Sequence, residues 1–162
     1  IVYYSIQNTH IHLLVEATDK VALAKGMQSF GVSAARHINT ALFEAAVERG
    51  VVGVVRRSGP VIADRYHARI LKTPREVRNC LAYVLNNWRH HGADRGAEWP
   101  TDWYSSGPVF RGWRELARGG EVEVPEKYVP LFTREPTTWL LRVGWRKRGL
   151  ISWKEVPGND GH

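Results

Sequence analysis

The sequence predicts an α+β fold in which helices cover one face of an antiparallel sheet. Segments of strand length that are rich in β-branched and aromatic residues alternate with segments of helical periodicity. Hydrophobic residues make up 43% of the 162 residues, which is typical of a globular chain of about one domain with an extension. The longest apolar runs are far shorter than the ~20 residues that span a bilayer, so we expect no transmembrane segment.

The first part of the chain predicts a hairpin followed by a long helical segment. Residues 1–6 are rich in β-branched and aromatic side chains and predict a strand, and residues 10–17 predict a second strand paired with it. Thr18 is expected to be the N-cap of the helical segment that follows. Gly26 and Gly31 weaken the middle of this segment and predict a break into two helices.

Two further strands and a well-capped helix are expected next. Residues 51–55 and 61–71 have the composition of strands. Thr73-Pro74-Arg75-Glu76 then combines a Thr N-cap, Pro at the first helical position and Glu where a capping box requires it. Gly92 is expected to end this helix. Four apolar residues form its buried stripe, namely Val77, Leu81, Val84 and Trp88.

The composition changes near residue 88. All seven tryptophans lie from there on, and residues 93–162 are expected to be a basic, aromatic-rich extension without a core of its own. Lys and Arg number 23 against 16 Asp and Glu, a formal charge of +7, which favours a polyanionic partner. Basic residues surround Trp145 in this extension, an arrangement that suits phosphate contact with base stacking. A solvated charged face beside a docked Trp139 explains the same pattern equally well.

The first candidate site is His10-Ile11-His12. Residues two apart on a strand point to the same face, so both imidazoles can converge on one metal ion while Ile11 packs into the core. Leu13 and Val15 would continue the core face. A pair of solvent-facing histidines on a half-buried strand is an equally good explanation of the spacing.

The second candidate is Tyr83 with Asn87. A separation of four places both side chains on one face of the capped helix, away from its apolar stripe. The phenol has the chemistry of a nucleophile, and the amide oxygen that of a third metal ligand. The alternative is a tyrosine whose ring is packed and whose hydroxyl is in water.

Other polar residues favour structural interpretations. Glu16 shares the parity of the strand histidines, a spacing known from the all-β cupins, but it would lie about 13 Å along the strand from the second histidine. We therefore interpret it as a strand-end carboxylate. Tyr66 and His67 form a rival nucleophile–base pair, for which cross-strand packing is the favoured interpretation. His90 and His91 suit the negative end of a helix dipole as capping residues.

In their order and spacing these motifs resemble the HUH single-tyrosine transposases, most closely the REP-associated tyrosine transposases of bacteria. Members of this family begin with a strand and a helix that precede Ile1 here. The resemblance therefore implies a ferredoxin-like sandwich that lacks its first β-α unit. The matching segments are His10-Ile11-His12-Leu13-Leu14-Val15, Asp64-Arg65-Tyr66-His67-Ala68-Arg69, Thr73-Pro74-Arg75-Glu76-Val77-Arg78, Leu81-Ala82-Tyr83-Val84-Leu85-Asn86-Asn87, His91-Gly92, Tyr104-Ser105-Ser106, Phe110-Arg111-Gly112-Trp113 and Thr138-Trp139-Leu140-Leu141-Arg142-Val143-Gly144-Trp145.

The resemblance implies metal-assisted nicking and rejoining of single-stranded or hairpin DNA of the REP type by residues 1–92. Tyr83 would attack the DNA and form a 5′-phosphotyrosine link, while His10, His12 and Asn87 would hold Mg²⁺ or Mn²⁺. The candidate DNA contacts are Arg65, Arg142, Trp145, Arg146, Lys147 and Arg148.

A protein of this kind would work in the bacterial cytoplasm beside the nucleoid, and a single cysteine, Cys80, fits a reducing compartment. The C-terminal extension favours a monomer, with a dimer as the alternative. The competing hypotheses are a non-catalytic DNA-binding protein on the same fold and a small-molecule metalloenzyme of the cupin type.

Overall fold

The computed structural model describes residues 1–124, 126, 128–129, 131 and 133–156. The chain divides into two compact units. One contains Ile1–Glu16 together with the described residues from Ile70 onward, and the other is Ala17–Arg69. The architecture is mixed α+β, as predicted. No helix among the described residues is long and apolar enough to cross a membrane.

The first unit begins with the predicted hairpin. Strand β1 is Tyr3–Ile6 and strand β2 is Ile11–Leu14, and they pair antiparallel with Ser5 opposite His12. Both strands are shorter than the sequence predicts. The described residues form this one sheet of two strands, so the ferredoxin-like arrangement remains a prediction.

The outer edge of β1 is covered by a later loop. The backbone N–H of Ile6 donates to the carbonyl of Tyr104 at 2.8 Å, and the N–H of Ser106 donates to the carbonyl of Tyr4 at 2.9 Å. A strand edge left open would present unpaired backbone groups to other chains. The Tyr104-Ser105-Ser106 motif therefore pairs backbone groups on the outer edge of β1, the strand that is hydrogen-bonded to the histidine-bearing β2.

The second unit consists of one long helix and the loop after it. Helix α1, Lys20–Glu48, has 29 residues. Its N-cap is Asp19, whose carboxylate accepts from a helical N–H at 2.8 Å, so the prediction of Thr18 was wrong by one residue. An anionic cap is further favoured by the helix dipole. The predicted break is also wrong, because Gly26 and Gly31 continue the helix without interruption.

The two strands predicted after α1 do not form. Residues 51–55 and 61–71 are irregular, and Gly53 and Gly59 have positive φ values of 74° and 95°. Val52 is 97% exposed, so its β-branched side chain has no neighbouring strand to pack on. β-propensity reflects packing on a sheet and does not produce a strand without a partner.

Helix α2, Pro74–Leu85, has the predicted capping box. The Thr73 hydroxyl accepts from the backbone N–H of Glu76, and the Glu76 carboxylate accepts from the N–H of Thr73. The predicted stripe is buried, since Val77, Leu81, Val84 and Trp88 are all at most 7% exposed. The helix is interrupted at Asn86, whose side chain donates to the carbonyl of Ser152. A short helix α3, Asn87–His90, follows.

The C-terminal residues belong to the same core as the hairpin and α2. They include helix α4, Trp139–Arg142, and a 3₁₀ helix, Gly144–Arg148. The prediction of an extension separate from residues 1–92 therefore differs from the structure, because its aromatic side chains bury their surface against the hairpin and α2. The core is formed by Val2, Leu14, Val77, Leu81, Ala82, Leu85, Phe110, Trp113, Leu141, Trp145 and Ile151.

Candidate active site

The histidine face of β2 is the face that packs toward the core. Leu14, which shares the parity of His10 and His12, is 6% exposed and belongs to the core. Ile11 and Leu13, which the sequence analysis placed in the core, are only half-buried. The predicted orientation of β2 was therefore reversed. His12 consequently lies at the margin of the core, half-buried, while His10 is exposed.

Helix α2 brings Tyr83 to the strand histidines. The Tyr83 ring lies 5.0 Å from the His12 ring, and the His12 ring lies 4.7 Å from that of His10, all measured between ring centroids. Both contacts are edge-on. The capping box and the buried stripe fix α2 on the hairpin, so the local sequence signals of helix and strand place the phenol beside the imidazoles.

Two more imidazoles complete this cluster. The ring of His91 lies 5.5 Å from that of His10, and the ring of His90 lies 6.0 Å from that of Tyr83. Capping was the role expected of His90 and His91, and their contact with the cluster is not predicted by the sequence motifs. The available signal was their position one turn beyond Asn87, on the continuation of the tyrosine helix.

The side chain of Asn87 is fully buried and has no hydrogen-bond partner. Its exposure is 0%, and neither its amide nitrogen nor its amide oxygen is paired. The Nε2 atom of His12 is likewise buried and unpaired. A buried polar group without a partner costs about 1–3 kcal/mol, so such groups require an explanation.

These unpaired atoms fit a divalent ion. Imidazole nitrogens and an amide oxygen are common metal donors. Within the described part of the chain no three His, Cys, Asp or Glu side chains are grouped to hold an ion. A metal bound by His10 and His12 would therefore need a ligand of another type, and the amide oxygen of Asn87, one helical turn after Tyr83, is the candidate.

Burial is the main cause that lowers the pKa of His12 from 6.5 to about 4, and the neighbouring His10 and His91 contribute the rest. Placing a positive charge on a half-buried ring next to other imidazoles is unfavourable. His12 is therefore neutral at ordinary pH. A histidine must be neutral to bind a metal, so the environment favours that state.

The C-terminal basic residues are exposed, but the tryptophan expected among them is not. Arg142, Arg146, Lys147 and Arg148 are exposed, whereas Trp145 is 1% exposed and its indole N–H donates to the carbonyl of Leu141. The prediction that Trp145 stacks on a base is therefore wrong, because its ring fills the core.

Arg65 and the rival pair lie in the second unit. Arg65 and Tyr66 line a cleft of about 1220 Å³ between α1 and the following loop. Tyr66 is 45% exposed, and the strand in which cross-strand packing was expected is absent. Tyr66 and His67 thus belong to a different compact unit from Tyr83.

Glu16 is a strand-end carboxylate, as predicted, and it has a clear structural role. Its two oxygens accept four hydrogen bonds, from the backbone N–H and the hydroxyl of both Thr137 and Thr138, at 2.6–2.8 Å. The cupin hypothesis fails on the fold, because the described residues form one two-stranded sheet and four α-helices.

Comparison of the chain with models of protein families, with curated proteins and with solved structures finds no match. The support for a function therefore comes from the geometry of the site and from the order of the sequence motifs.

Proposed function

We propose that this chain nicks and rejoins single-stranded or hairpin DNA through a covalent bond between Tyr83 and a 5′-phosphate. The observation that carries the proposal is the convergence of Tyr83 from α2 with His10 and His12 from β2, at ring separations of 5.0 and 4.7 Å. A phenol beside a histidine pair with an unpaired buried amide has the composition of a metal-assisted phosphoryl-transfer site.

The chain's own residues position the reacting groups. Tyr83 Oη attacks the phosphorus atom, the bond to the 3′-oxygen breaks, and that oxygen takes a proton and leaves as a 3′-hydroxyl. A neutral phenol is a weak nucleophile, so its proton has to pass to a base. The imidazole of His90 is a candidate acceptor because its ring lies 6.0 Å from the phenol ring.

His10, His12 and Asn87 would hold a divalent ion, Mg²⁺ or Mn²⁺, which would polarise the scissile phosphate. Because the phosphotyrosine bond keeps the energy of the phosphodiester, the free 3′-hydroxyl can attack it and rejoin the strand without ATP. The cycle then returns Tyr83 to its free state. Palindromic REP-type hairpins are the substrate that the resemblance suggests.

The partner proposed here is consistent with the charge of the chain. Its formal charge is +7, and the four basic residues of segment 142–148 are exposed. Phosphate contacts from such residues supply affinity that does not depend on sequence. A protein that only binds DNA would show the same surface, so charge does not separate the two functions.

A denaturing gel tests the proposal. The protein is incubated with labelled single-stranded REP-type hairpins and Mn²⁺ or Mg²⁺, and we expect an adduct that resists SDS and requires the metal. Tyr83→Phe and His10→Ala should both abolish it. Tyr104→Phe is the matched control, because Tyr104 is 70% exposed in the same unit and should leave the adduct intact.

Two results would contradict the proposal. An adduct that survives Tyr83→Phe would assign the nucleophile elsewhere. A wild-type protein that shifts the hairpin on a native gel but never forms an adduct, with or without metal, would be a DNA-binding protein without catalysis.

A further inference from the structure

One tryptophan remains half-exposed beside the basic residues of the C-terminal segment. Trp139, the first residue of α4, is 51% exposed, whereas Trp145 in the next turn is 1% exposed. A tryptophan is ordinarily buried over most of its surface. Trp139 therefore presents an aromatic surface to solvent at the place where the chain is most basic.

The indole of Trp139 packs against the backbone at Gly144. A Cβ added to Gly144 would lie 2.7 Å from Cζ3 and 2.8 Å from Cε3 of Trp139, so the six-membered ring rests where only a glycine leaves room. The preceding residue, Thr138, is hydrogen-bonded through its N–H and hydroxyl to Glu16 at the end of β2. The exposed ring is thus positioned by its contact with Gly144 and by the hydrogen bonds that hold Thr138, the residue before it.

Among the described residues, the exposed cations of the segment that follows Trp139 form no ion pairs. Arg142, Arg146 and Lys147 are exposed, and none forms an ion pair with a carboxylate of the described residues. The Lys147 ammonium lies 5.0 Å from the centroid of the Trp139 ring. Its flexible four-carbon stem allows this group to move from the ring to a nearby phosphate.

We infer that Trp139 is a stacking platform for an unpaired base of single-stranded DNA, with Arg142, Arg146 and Lys147 binding the flanking phosphates. This inference rests on the proposed function for the identity of the polyanion. An aromatic ring in a segment whose cations form no ion pair with the described carboxylates fits a nucleic acid better than an acidic peptide, since a base contributes a π-face for stacking. A duplex keeps its bases stacked on one another and offers the ring no such face.

Fluorescence anisotropy with two probes tests this site, using Tyr83→Phe protein so that no covalent link forms. The probes are an oligothymidylate of about 20 nucleotides and a blunt duplex of the same length. Trp139→Leu should weaken binding of the single strand about 5- to 100-fold and leave the duplex unchanged. Trp139→Phe keeps an aromatic ring and should stay within about 3-fold of the parent.

Salt titrations separate the ring from the cations. Lys147→Ala should reduce the slope of log affinity against log salt by about one, whereas Trp139→Leu should leave the slope unchanged. Arg118→Ala is the matched control, because it removes one exposed cation from a different turn. It should change neither the affinity for the single strand nor the preference for it.

Equal affinity of Trp139→Leu and parent for the single strand would overturn the inference, as would equal weakening for both probes in a variant with unchanged circular dichroism. Failure of this inference alone would leave the Tyr83 adduct intact in the wild-type protein. Binding that depends on Trp139 in a protein that forms no adduct would keep this site and remove the proposed catalysis.

Discussion

Replacing Glu16 with alanine should loosen the attachment of α4 to the end of β2. The carboxylate accepts four hydrogen bonds from Thr137 and Thr138 at 2.6–2.8 Å. Hydrogen bonds to a charged group contribute about 1.5–3 kcal/mol each where water is excluded, and typical protein hydrogen bonds about 0.5–1.5 kcal/mol. Both threonines are exposed, and water can replace the lost acceptor, so the lower end of that range applies.

The expected loss for Glu16→Ala is therefore about 2 kcal/mol, which corresponds to a decrease in Tm of roughly 4–8 °C for a chain of this size. Glu16→Gln should lose about half as much, because the amide keeps one acceptor oxygen while its NH₂ group faces backbone donors. Urea unfolding gives the free energies. Amide hydrogen exchange in Trp139–Arg142 shows whether the effect is located in α4.

The effect of Glu16 should also depend on pH. Burial raises the pKa of Glu16, but the hydrogen bonds from Thr138 and Thr137 outweigh it and leave the pKa below its usual value of 4.5. The folded state thus holds the proton more weakly than the unfolded state. Its contribution is complete above pH 4.5 and is lost as the pH falls through the lowered pKa. The difference between wild type and Glu16→Gln should shrink accordingly in acid.

Glu98→Ala is the matched control. Glu98 is exposed, and its substitution removes the same charge from the same unit. It should leave the urea midpoint and the exchange rates of α4 unchanged. The reasoning would be refuted if Glu16→Ala matched this control in both measurements.

Three further changes probe the core and the candidate site. Gly112→Ala should destabilise the chain by about 1–3 kcal/mol in urea, because the new Cβ would lie 2.5 Å from Cη2 of Trp145 and closer still to Phe110; wild-type stability would contradict this packing. In chelator, stability should fall as the pH drops from 6.5 toward 4, since His12 has its pKa lowered to about 4 in the folded state and the unfolded chain binds the proton first. His12→Gln should flatten that part of the pH profile, and an unchanged profile would be evidence against the shift. Mn²⁺ should raise the Tm of wild type, and Asn87→Ala should reduce that increase at least several-fold if the buried amide is a ligand; an equal increase in both proteins would exclude Asn87.

The elements that the sequence predicts well are those whose signals are local. The capping box at Thr73 and the stripe of α2 are defined by neighbouring residues, and both are present. The strands expected at 51–55 and 61–71 needed a partner strand, and no local signal reports whether one exists. Val52 shows the consequence, because the same β-branched side chain that predicts a strand is left in solvent.

The roles of the tryptophans depended on information that composition does not contain. Trp139 and Trp145 lie six positions apart in one basic segment, yet one is half-exposed and the other fills the core. The signal in the sequence that bears on their packing is a glycine in contact with each ring. Gly112 lies against Trp145 and Gly144 against Trp139, each at a distance that excludes a Cβ.

The candidate site depends on the packing beside it. Along β2 one face changes from the buried Leu14 to His12, and on α2 the half-buried Tyr83 lies between the buried residues Ala82 and Val84. The two elements pack against each other, and the rings of His12 and Tyr83 lie 5.0 Å apart at their contact. Because side chains alternate along a strand, a shift of β2 by one residue would turn both imidazoles away from α2. Burial of Leu14 therefore sets the register that holds His12 against Tyr83, and this core leucine becomes a requirement for the chemistry that we propose.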